Sequence, residues 1–250
     1  MDSVFSHQRV AQLATPIAFN STIRDLQNLS NIEREAWYGV SEGSGLVPGT
    51  TAGFEEEVTG GFGRDPEKAD AALAGQQPQL VDAYEERFGD GSPPFAFLFL
   101  GLGGGTGCGI APHLAEAIRE YGGSSTDIIA VAVLPNTAGQ VTGDDGPSAT
   151  RQATNAIYGL DRLEEHVDGV ILIDNQRLAY EDAAEGGSTS TTTTRPRPSS
   201  TSSPGRSSSG STPASTTIST HLSSTCRTWS RHSRSTTVMS ATRRSADRSR

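Results

Sequence analysis

A run of glycines between an apolar segment and a helical pattern constrains the fold more than any other feature of the chain. Residues 101–109 read "GLGGGTGCG"; they follow the apolar run "FAFLFL" at 95–100 and lead into "IAPHLAEAIREYGG". Because glycine lacks a Cβ, its backbone can turn sharply and approach a ligand closely. A strand, a glycine turn and a helix in this order predict backbone N–H groups that converge on phosphate oxygens at the positive end of the helix.

Four continuous apolar runs, at 16–20, 95–100, 128–135 and 167–174, have the pattern of strands that are covered on both faces. Helical patterns lie between them. Strands that alternate with helices predict an α/β fold, a Rossmann-like doubly wound parallel sheet in which ligands bind at the carboxyl ends of the strands. The glycine run lies at such an end.

Two helical patterns separate the later strands, one at 110–121 and one at 148–166. Each places apolar residues three or four positions apart, which predicts a stripe that packs on the sheet. The glycine pair at 122–123 is expected to end the first helix, which should begin near Ile110 after a glycine loop. The first stripe comprises Ile110, Leu114 and Ile118; the second comprises Ala149, Ala153, Ala156, Ile157, Leu160 and Leu163.

Charge divides the chain into two unlike parts. Residues 1–187 contain 10 Lys or Arg against 28 Asp or Glu, a formal charge of −18, whereas residues 188–250 contain 10 against 1, a charge of +9. Lys68 is the only lysine. Such an acidic, lysine-poor domain resembles cytoplasmic proteins of extreme halophiles, whose surface carboxylates maintain solubility in salt. An ordinary acidic protein is the alternative.

No targeting or membrane segment is expected. The chain has no stretch of about 18 apolar residues, and residues 1–15 lack the basic start and apolar core of a secretion signal. Cys108 and Cys226 are too few for a disulfide framework and do not have metal-ligand spacing. The expectation is a cytoplasmic protein with no membrane span.

From residue 187 onward the sequence is dominated by Ser, Thr and Arg, with too few apolar residues to bury a core. One interpretation is a basic tail that is disordered and tethered by nothing. The other, which we favour, is a shifted reading frame: with permitted codons, a frame one nucleotide back converts this text into an acidic, amphipathic sequence like the preceding domain. We expect no nucleic-acid partner, because phosphate contacts by such a tail would be lost at halophile salt.

The glycine run does not match the two commonest nucleotide motifs. The pattern G-x-G-x-x-G would need glycine where Thr106 stands, and the phosphate-loop pattern needs a lysine that is not there. Instead, "GGGTGCG" resembles G-G-G-T-G-[ST]-G, the signature of the tubulin and FtsZ superfamily of GTPases, with Cys108 at the Ser/Thr position. The resemblance implies that phosphate is bound by Gly103, Gly104, Gly105, Thr106 and Gly107. A turn that uses glycine only for close packing is the alternative.

Two earlier segments resemble the same superfamily. Residues 18–29 are similar to its second-strand loop, which implies that Asn20 lies near the nucleotide, although Thr22 stands where the family has an acid. Residues 60–69 are similar to its G-x-G-x-N-P-E loop over the terminal phosphate, which implies roles for Gly61 and Gly63; Arg64 stands where a small residue is common. An ordinary surface turn is the alternative for this loop.

Two later segments complete the resemblance. Residues 131–157 resemble the stretch that approaches the ribose, which makes Asp145 the candidate acceptor of sugar hydroxyls; a solvated loop carboxylate is the alternative, and Arg151 is left unassigned. Residues 170–178 are close to V-I-P-N-D-[KR]-L, which implies that the Asn175 amide reads the guanine edge; a helix-capping asparagine is the alternative.

The resemblance covers roughly residues 16–180 and is nearest to divergent FtsZ and CetZ-like proteins of halophilic archaea. It implies a partial GTP-binding domain at 16–186, with 187–250 as the tail or the frameshifted remnant of a C-terminal domain. The implied cofactor is GTP or GDP, with Mg²⁺ allowed beside it. Self-association or co-polymerisation with other tubulin-like proteins in a prokaryotic cytoskeleton is the implied partnership.

Parts of the superfamily pattern are missing from the sequence. Residues 1–15 contain no glycine, so the first strand and its glycine loop are not found, and a central gap in the sheet is expected. The acid loop that completes a neighbour's GTP site is not found after residue 187. We therefore expect GTP hydrolysis and polymerisation to be impaired, and the alternative is a non-catalytic remnant or assembly regulator.

Overall fold

The computed structural model describes residues 2–135, 146–175, 177 and 236–241. Within these ranges, seven strands form one sheet: β1 Ala14–Asn20, β2 Trp37–Ser41, β3 Gly45–Pro48, β4 Phe95–Gly101, β5 Asp127–Leu134, β6 Gly169–Asp174 and β7 Thr236–Ala241. The α-helices are α1 Gln8–Leu13, α2 Ile23–Gln27, α3 Phe54–Glu57, α4 Pro66–Leu73, α5 Gln77–Phe88, α6 Gly105–Gly122 and α7 Gly146–Leu163. Short 3₁₀ turns cover Asp2–Ser6, Arg34–Ala36 and Gly123–Ser125.

The sheet has the order β3-β2-β1-β7-β4-β5-β6. The pairs β1/β2, β4/β5 and β5/β6 are parallel, so the predicted α/β architecture with parallel strands is confirmed. Two strands depart from the all-parallel expectation: β3 is antiparallel to β2, and β7 is antiparallel to both β1 and β4. All four apolar runs form strands, within three residues of their predicted bounds.

The central strands are covered on both faces because their apolar residues alternate between two cores. On β1, Ile17 and Phe19 belong to one buried cluster, which also contains Leu98 and residues of α4, α5 and α6. Ala18 belongs to the other cluster, with Phe54 of α3 and residues of the N-terminal segment. Continuous apolarity is therefore needed here, since a polar residue at either position would enter a core.

The helix after β4 begins five residues earlier than predicted. The expectation was a glycine loop followed by a helix near Ile110, whereas α6 begins at Gly105 and contains three of the six glycines of the run. Its C-terminus agrees with prediction: Gly122 is the last residue, and Gly123 follows with φ of 69°. The predicted face is buried against the sheet, with Ile110, Leu114 and Ile118 at most 2 % exposed.

The apolar stripe predicted for α7 is only partly correct. Ala149, Ala156 and Leu163 are buried. Ile157 is 71 % exposed and Ala153 is also exposed, so the stripe is narrower than the sequence pattern indicated. The buried residues are seven positions apart, which places them along a single line on the helix.

The predicted gap in the centre of the sheet is filled by a short piece of the Ser/Thr-rich tail. Residues 236–241 form β7 between β1 and β4, with Val238 in register with Ile17 on one side and Leu98 on the other. The expectation of a tail tethered by nothing is therefore wrong for these six residues; the rest of 187–235 and 242–250 lies outside the described residues. No helix in the described part of the chain is long and apolar enough to cross a membrane.

Replacing a residue in the middle of β7 with proline should destabilise the domain. Val238→Pro removes a backbone N–H from a strand that pairs on both sides, which we expect to lower the free energy of unfolding by about 2 kcal/mol or more. The thermal midpoint should fall by about 5 °C or more. The control Val238→Thr keeps the N–H and a β-branched side chain; equal midpoints for the two variants would contradict the placement of β7.

Candidate functional site

A cavity of about 690 Å³ opens at the carboxyl ends of β1, β4, β5 and β6. All five segments that carry the family resemblance contribute to its wall. The lining residues are Asn20, Ser21, Thr22 and Asp25 after β1; residues 60–64 before α4; Gly101 and residues 103–107; residues 133–135, Arg151 and Gln152; and Asn175. Residues up to 155 positions apart in the chain thus meet at one edge of the sheet.

The first turn of α6 faces this cavity. Gly104 is the N-cap residue, and Gly105, Thr106 and Gly107 follow as the first helical residues. Their N–H groups have no intrahelical acceptor, and the helix dipole adds positive potential at this end. The arrangement is suited to an anion with several oxygens, such as a chain of phosphates.

Close packing accounts for several of the same glycines. A Cβ on Gly105 would lie 2.5 Å from the amide nitrogen of Asp65, and one on Gly107 would lie 2.7 Å from the carbonyl oxygen of Gly101. A Cβ on Gly103 would lie 2.8 Å from the Cβ of Pro135. By contrast, a Cβ on Gly104 would meet no atom within 4 Å and would project into open space. Gly104 is thus the member of the run whose missing side chain leaves room for a ligand.

Hydrogen bonds join the end of β1 to the start of α6. The hydroxyls of Ser21 and Thr106 are 2.6 Å apart, and either can be the donor. Asn20 is 1 % exposed; its amide donates to Asp25 at 3.2 Å and its carbonyl oxygen accepts from the Thr22 amide at 3.2 Å. Asn20 therefore shapes the loop after β1. The Thr106 hydroxyl can both donate and accept, so it can bind a ligand in addition to its hydrogen bond with Ser21.

Ser21 and Asp25 are site residues that the sequence analysis missed. Ser21 is 3 % exposed and follows directly after Asn20, so its position at a strand end was the available signal. Asp25 lies three residues after Thr22, the position where the resemblance implies an acid, and it is the only carboxylate among the described residues of the cavity wall. Within the described ranges no group of three or more metal-ligating side chains is found. One carboxylate in the described wall fits Mg²⁺ only where phosphate oxygens and waters supply its other ligands.

The loop at 60–64 has an unusual backbone. Gly61, Gly63 and Arg64 have φ of 61°, 58° and 65°, in the left-handed region that glycine adopts readily and other residues seldom do. The Arg64 carbonyl oxygen accepts a hydrogen bond from the amide of Asn155 at 2.9 Å. The Arg64 guanidinium donates to the Ser148 hydroxyl at 2.7 Å. The loop is thus joined to α7 by backbone and side chain together.

The residues predicted for the nucleoside end have different outcomes. Asn175 directly follows β6 and lies half-buried in the cavity wall. Asp145 lies outside the described residues. Arg151 and Gln152 of α7, to which the sequence analysis gave no role, also line the cavity. Only the fold identifies Arg151 and Gln152 as cavity residues, because a polar residue in a helical sequence pattern usually faces solvent.

A polar cluster behind the cavity holds three helices together. The Asp70 carboxylate on α4 lies 2.7 Å from His113 Nε2 on α6 and accepts from Arg162 on α7 at 2.6 Å. It also accepts from the Tyr158 hydroxyl at 3.3 Å, and the Arg162 guanidinium lies over the Tyr158 ring. Because α6 and α7 line the cavity and the loop at 60–64 leads into α4, the cluster helps to fix the relative positions of these parts of the wall.

Cys108 is a packing residue in this structure. Its thiol donates to the Leu102 carbonyl oxygen at 3.0 Å, and burial raises its pKa to about 12. A Cβ on Gly159 of α7 would lie 2.9 Å from the Cys108 Cβ, so the two helices approach closely at this point. The thiol is neutral at ordinary pH and fills space between α6 and α7.

Comparison with known families places these features in a defined class of protein. Residues 2–180 match the Tubulin/FtsZ family, GTPase domain. The match covers more than half of the chain, and the chain belongs to the tubulin/FtsZ family.

Individual relatives match part of the chain. It is 36 % identical over 118 residues to cell division protein FtsZ 1 of Pyrococcus furiosus, covering 47 % of this chain and 27 % of that protein. It is 30 % identical over 166 residues to the tubulin-like protein CetZ of Pyrococcus abyssi, covering 66 % and 40 %. Among solved structures, CetZ2 of Haloferax volcanii, a GTPγS-bound protofilament, is similar with a TM-score of 0.48 and 26 % identity, covering 68 % of this chain and 43 % of that one. The chain spans less than half the length of each.

Alanine substitutions at neighbouring glycines should separate packing from ligand space. Gly105→Ala places a Cβ against the backbone of Asp65, which we expect to lower the free energy of unfolding by about 1–3 kcal/mol. Gly104→Ala, in an extended conformation with open space around it, causes no clash and should cost only about 0.5 kcal/mol, from replacing the N-cap glycine. Urea denaturation measures both. Equal losses of stability would show that the first turn of α6 is packed differently.

Proposed function

We propose that this chain binds a guanine nucleotide in the cavity and is a GTP-binding protein of a prokaryotic, tubulin/FtsZ-like cytoskeleton. The observation that carries the proposal is the meeting of all five motif segments in one cavity wall. The volume of about 690 Å³ is in the range of small-molecule sites. The family match supplies the class of ligand.

The phosphate end of the proposed site is the first turn of α6. The backbone N–H groups of Gly105, Thr106 and Gly107 have no intrahelical acceptor and lie at the positive end of the helix dipole. Gly104 leaves room for the phosphate oxygens. The Thr106 hydroxyl adds a donor. Arg64 and Arg151 add positive charge to the wall of an otherwise acidic domain.

The base end of the proposed site is Asn175. An amide carries both a donor and an acceptor, so it can pair with the donor and acceptor groups on the guanine edge. In the proposal, Asp145 accepts hydrogen bonds from the ribose hydroxyls, and Gly61 and Gly63 allow their loop to approach the phosphates. Mg²⁺ would bind beside the phosphates, with Asp25 as the protein carboxylate that reaches this part of the wall.

We propose that GTP hydrolysis and polymerisation are impaired in this chain. A general base must lie within hydrogen-bond reach of the attacking water, and the described wall holds one carboxylate, Asp25, which is the proposed Mg²⁺ ligand. The sequence after residue 187 has no segment that resembles the family's acid loop. The assembly that remains in the proposal is self-association in the cytoplasm, or co-polymerisation with other tubulin-like proteins.

The second candidate function is that of a non-catalytic remnant or assembly regulator. The single carboxylate of the described wall favours it, because hydrolysis would need a general base in addition to the proposed Mg²⁺ ligand Asp25. A regulator would bind nucleotide, or a surface of a related polymer, without turnover. A binding measurement on the purified chain tests whether the nucleotide site is intact. Nucleotide binding would support either candidate over a chain that has lost the site.

Replacing Asn175 should weaken base discrimination. Asn175→Ala removes the amide, and loss of a buried polar contact costs on the order of 1–3 kcal/mol, so we expect the preference for GTP over ATP to narrow about tenfold or more. Displacement of a fluorescent GTP analogue by GTP and by ATP measures the preference. The control is Asn28→Ala, an exposed asparagine outside the cavity. An unchanged preference in Asn175→Ala would remove Asn175 from the site.

The full chain should release phosphate from GTP no faster than a protein-free control. Loss of one catalytic group typically lowers the rate by about 10²–10⁴-fold, which would bring turnover close to background. The measurement is phosphate release over a range of protein concentrations. Release that rises more steeply than protein concentration would show that a second copy completes the catalytic site.

A further inference from the structure

Arg64 has a conformation that is costly for an arginine. Among the described residues it is the only non-glycine residue with positive φ, at 65°. Several contacts impose this conformation: Asn155 donates to its carbonyl oxygen, and the next residue, Asp65, caps α4 by accepting from the amides of Glu67 and Lys68. Strained residues that the surroundings hold in place are concentrated at functional sites.

The strained backbone places Arg64 beside the first turn of α6. A Cβ on Gly105 would lie 2.8 Å from the Arg64 carbonyl carbon, so the two backbones are in direct contact. Arg64 also lines the cavity. A cation is thus located next to the helix end where the phosphates are proposed to bind.

The Arg64 side chain retains capacity for a ligand. Its Nη1 donates to the Ser148 hydroxyl of α7 at 2.7 Å. A guanidinium carries five N–H donors in a planar fork, so it can keep this hydrogen bond and still donate to phosphate oxygens. The hydrogen bond to Ser148 then holds the guanidinium in one orientation.

The sheet order gives the direction of a bound nucleotide. Asn175, the proposed base contact, follows β6 at one edge of the sheet, whereas the loop of Arg64 lies by β1: a Cβ on Gly61 would be 3.3 Å from the Thr22 hydroxyl oxygen. Strands β1 and β6 are four strand spacings apart, about 19 Å at the usual separation. A nucleotide whose base is at Asn175 and whose phosphates cross the end of α6 therefore has its last phosphate at the Arg64 loop.

We propose that Arg64 is a specificity-determining residue that contacts the terminal phosphate and makes the site prefer a nucleoside triphosphate over a diphosphate. The inference rests on the proposed function, since it takes Asn175 as the base end. It concerns a residue that departs from the small residue common at this place in the family. Its chemistry is a charge-assisted pair between guanidinium and phosphate.

The test compares binding of GDP and of a non-hydrolysable GTP analogue by calorimetry. Wild type should prefer the triphosphate analogue. In Arg64→Gln the preference should fall about tenfold, the effect of one charge-assisted hydrogen bond, while GDP affinity changes little. Arg64→Lys keeps the charge but not the planar guanidinium, so its preference for the triphosphate analogue should lie between those of wild type and Arg64→Gln. Arg9→Gln is the control, because it removes an exposed arginine outside the cavity.

Two further variants separate phosphate contact from a structural role. Arg64→Gly relieves the positive φ, so its thermal midpoint should equal or exceed that of wild type while the triphosphate preference is still lost. Ser148→Ala removes the hydrogen bond that orients the guanidinium and should lower that preference by less than Arg64→Gln does. If Arg64 only joined the loop to α7, both variants would weaken GDP and the triphosphate equally, which would overturn the inference.

Failure of the inference differs from failure of the proposed function. Binding of both nucleotides by wild type, with a ratio that Arg64→Gln leaves unchanged, overturns the role of Arg64 and retains the nucleotide site. Binding of neither nucleotide by folded wild type overturns the nucleotide site, and the role of Arg64 with it.

Discussion

The structure depends on one close backbone contact, where the first turn of α6 lies against the end of β4 and the start of α4. A Cβ on Gly105 would be 2.5 Å from the Asp65 amide, and one on Gly107 would be 2.7 Å from the Gly101 carbonyl oxygen. Backbone atoms cannot move aside as the tips of side chains can, so any side chain at these two positions forces the packed elements apart at a cost in stability. The same contact brings the helix N-terminus and the loop at 60–64 to one edge of the sheet. Packing and the proposed anion site therefore use the same glycines.

The sequence was sufficient to predict the buried parallel strands, because continuous apolarity is required where a sheet is covered on both faces. It was insufficient where tertiary contact outweighs local preference. Glycine is a poor helix former, so the pattern indicated a loop up to Ile110, yet contact with Asp65 and Gly101 makes Gly105 helical. The six-residue strand β7 was not predictable, since 236–241 has neither a long apolar run nor a partner nearby in the chain.

For the site, the predicted residues other than Asp145, which lies outside the described residues, all lie in the cavity wall, because each motif ends a strand or begins a helix at one edge of the sheet. The residues that sequence analysis missed are polar side chains of common type. Ser21, Asp25 and Arg151 become site residues only through the folding of β1 and α7 against α6. The spacing of motifs can locate a cavity, whereas the charge of its wall requires the structure.

The position of β7 links completion of the sheet to a late part of the chain. Residue 236 follows the end of β4, residue 101, by 135 positions. At about 5–20 residues per second, synthesis takes roughly 7–27 s to cover that distance. Until then the facing edges of β1 and β4 have unpaired N–H and C=O groups, and pairing so distant in sequence is also slow to form. Edge-to-edge pairing between nascent chains is therefore the misfolding route that this topology favours.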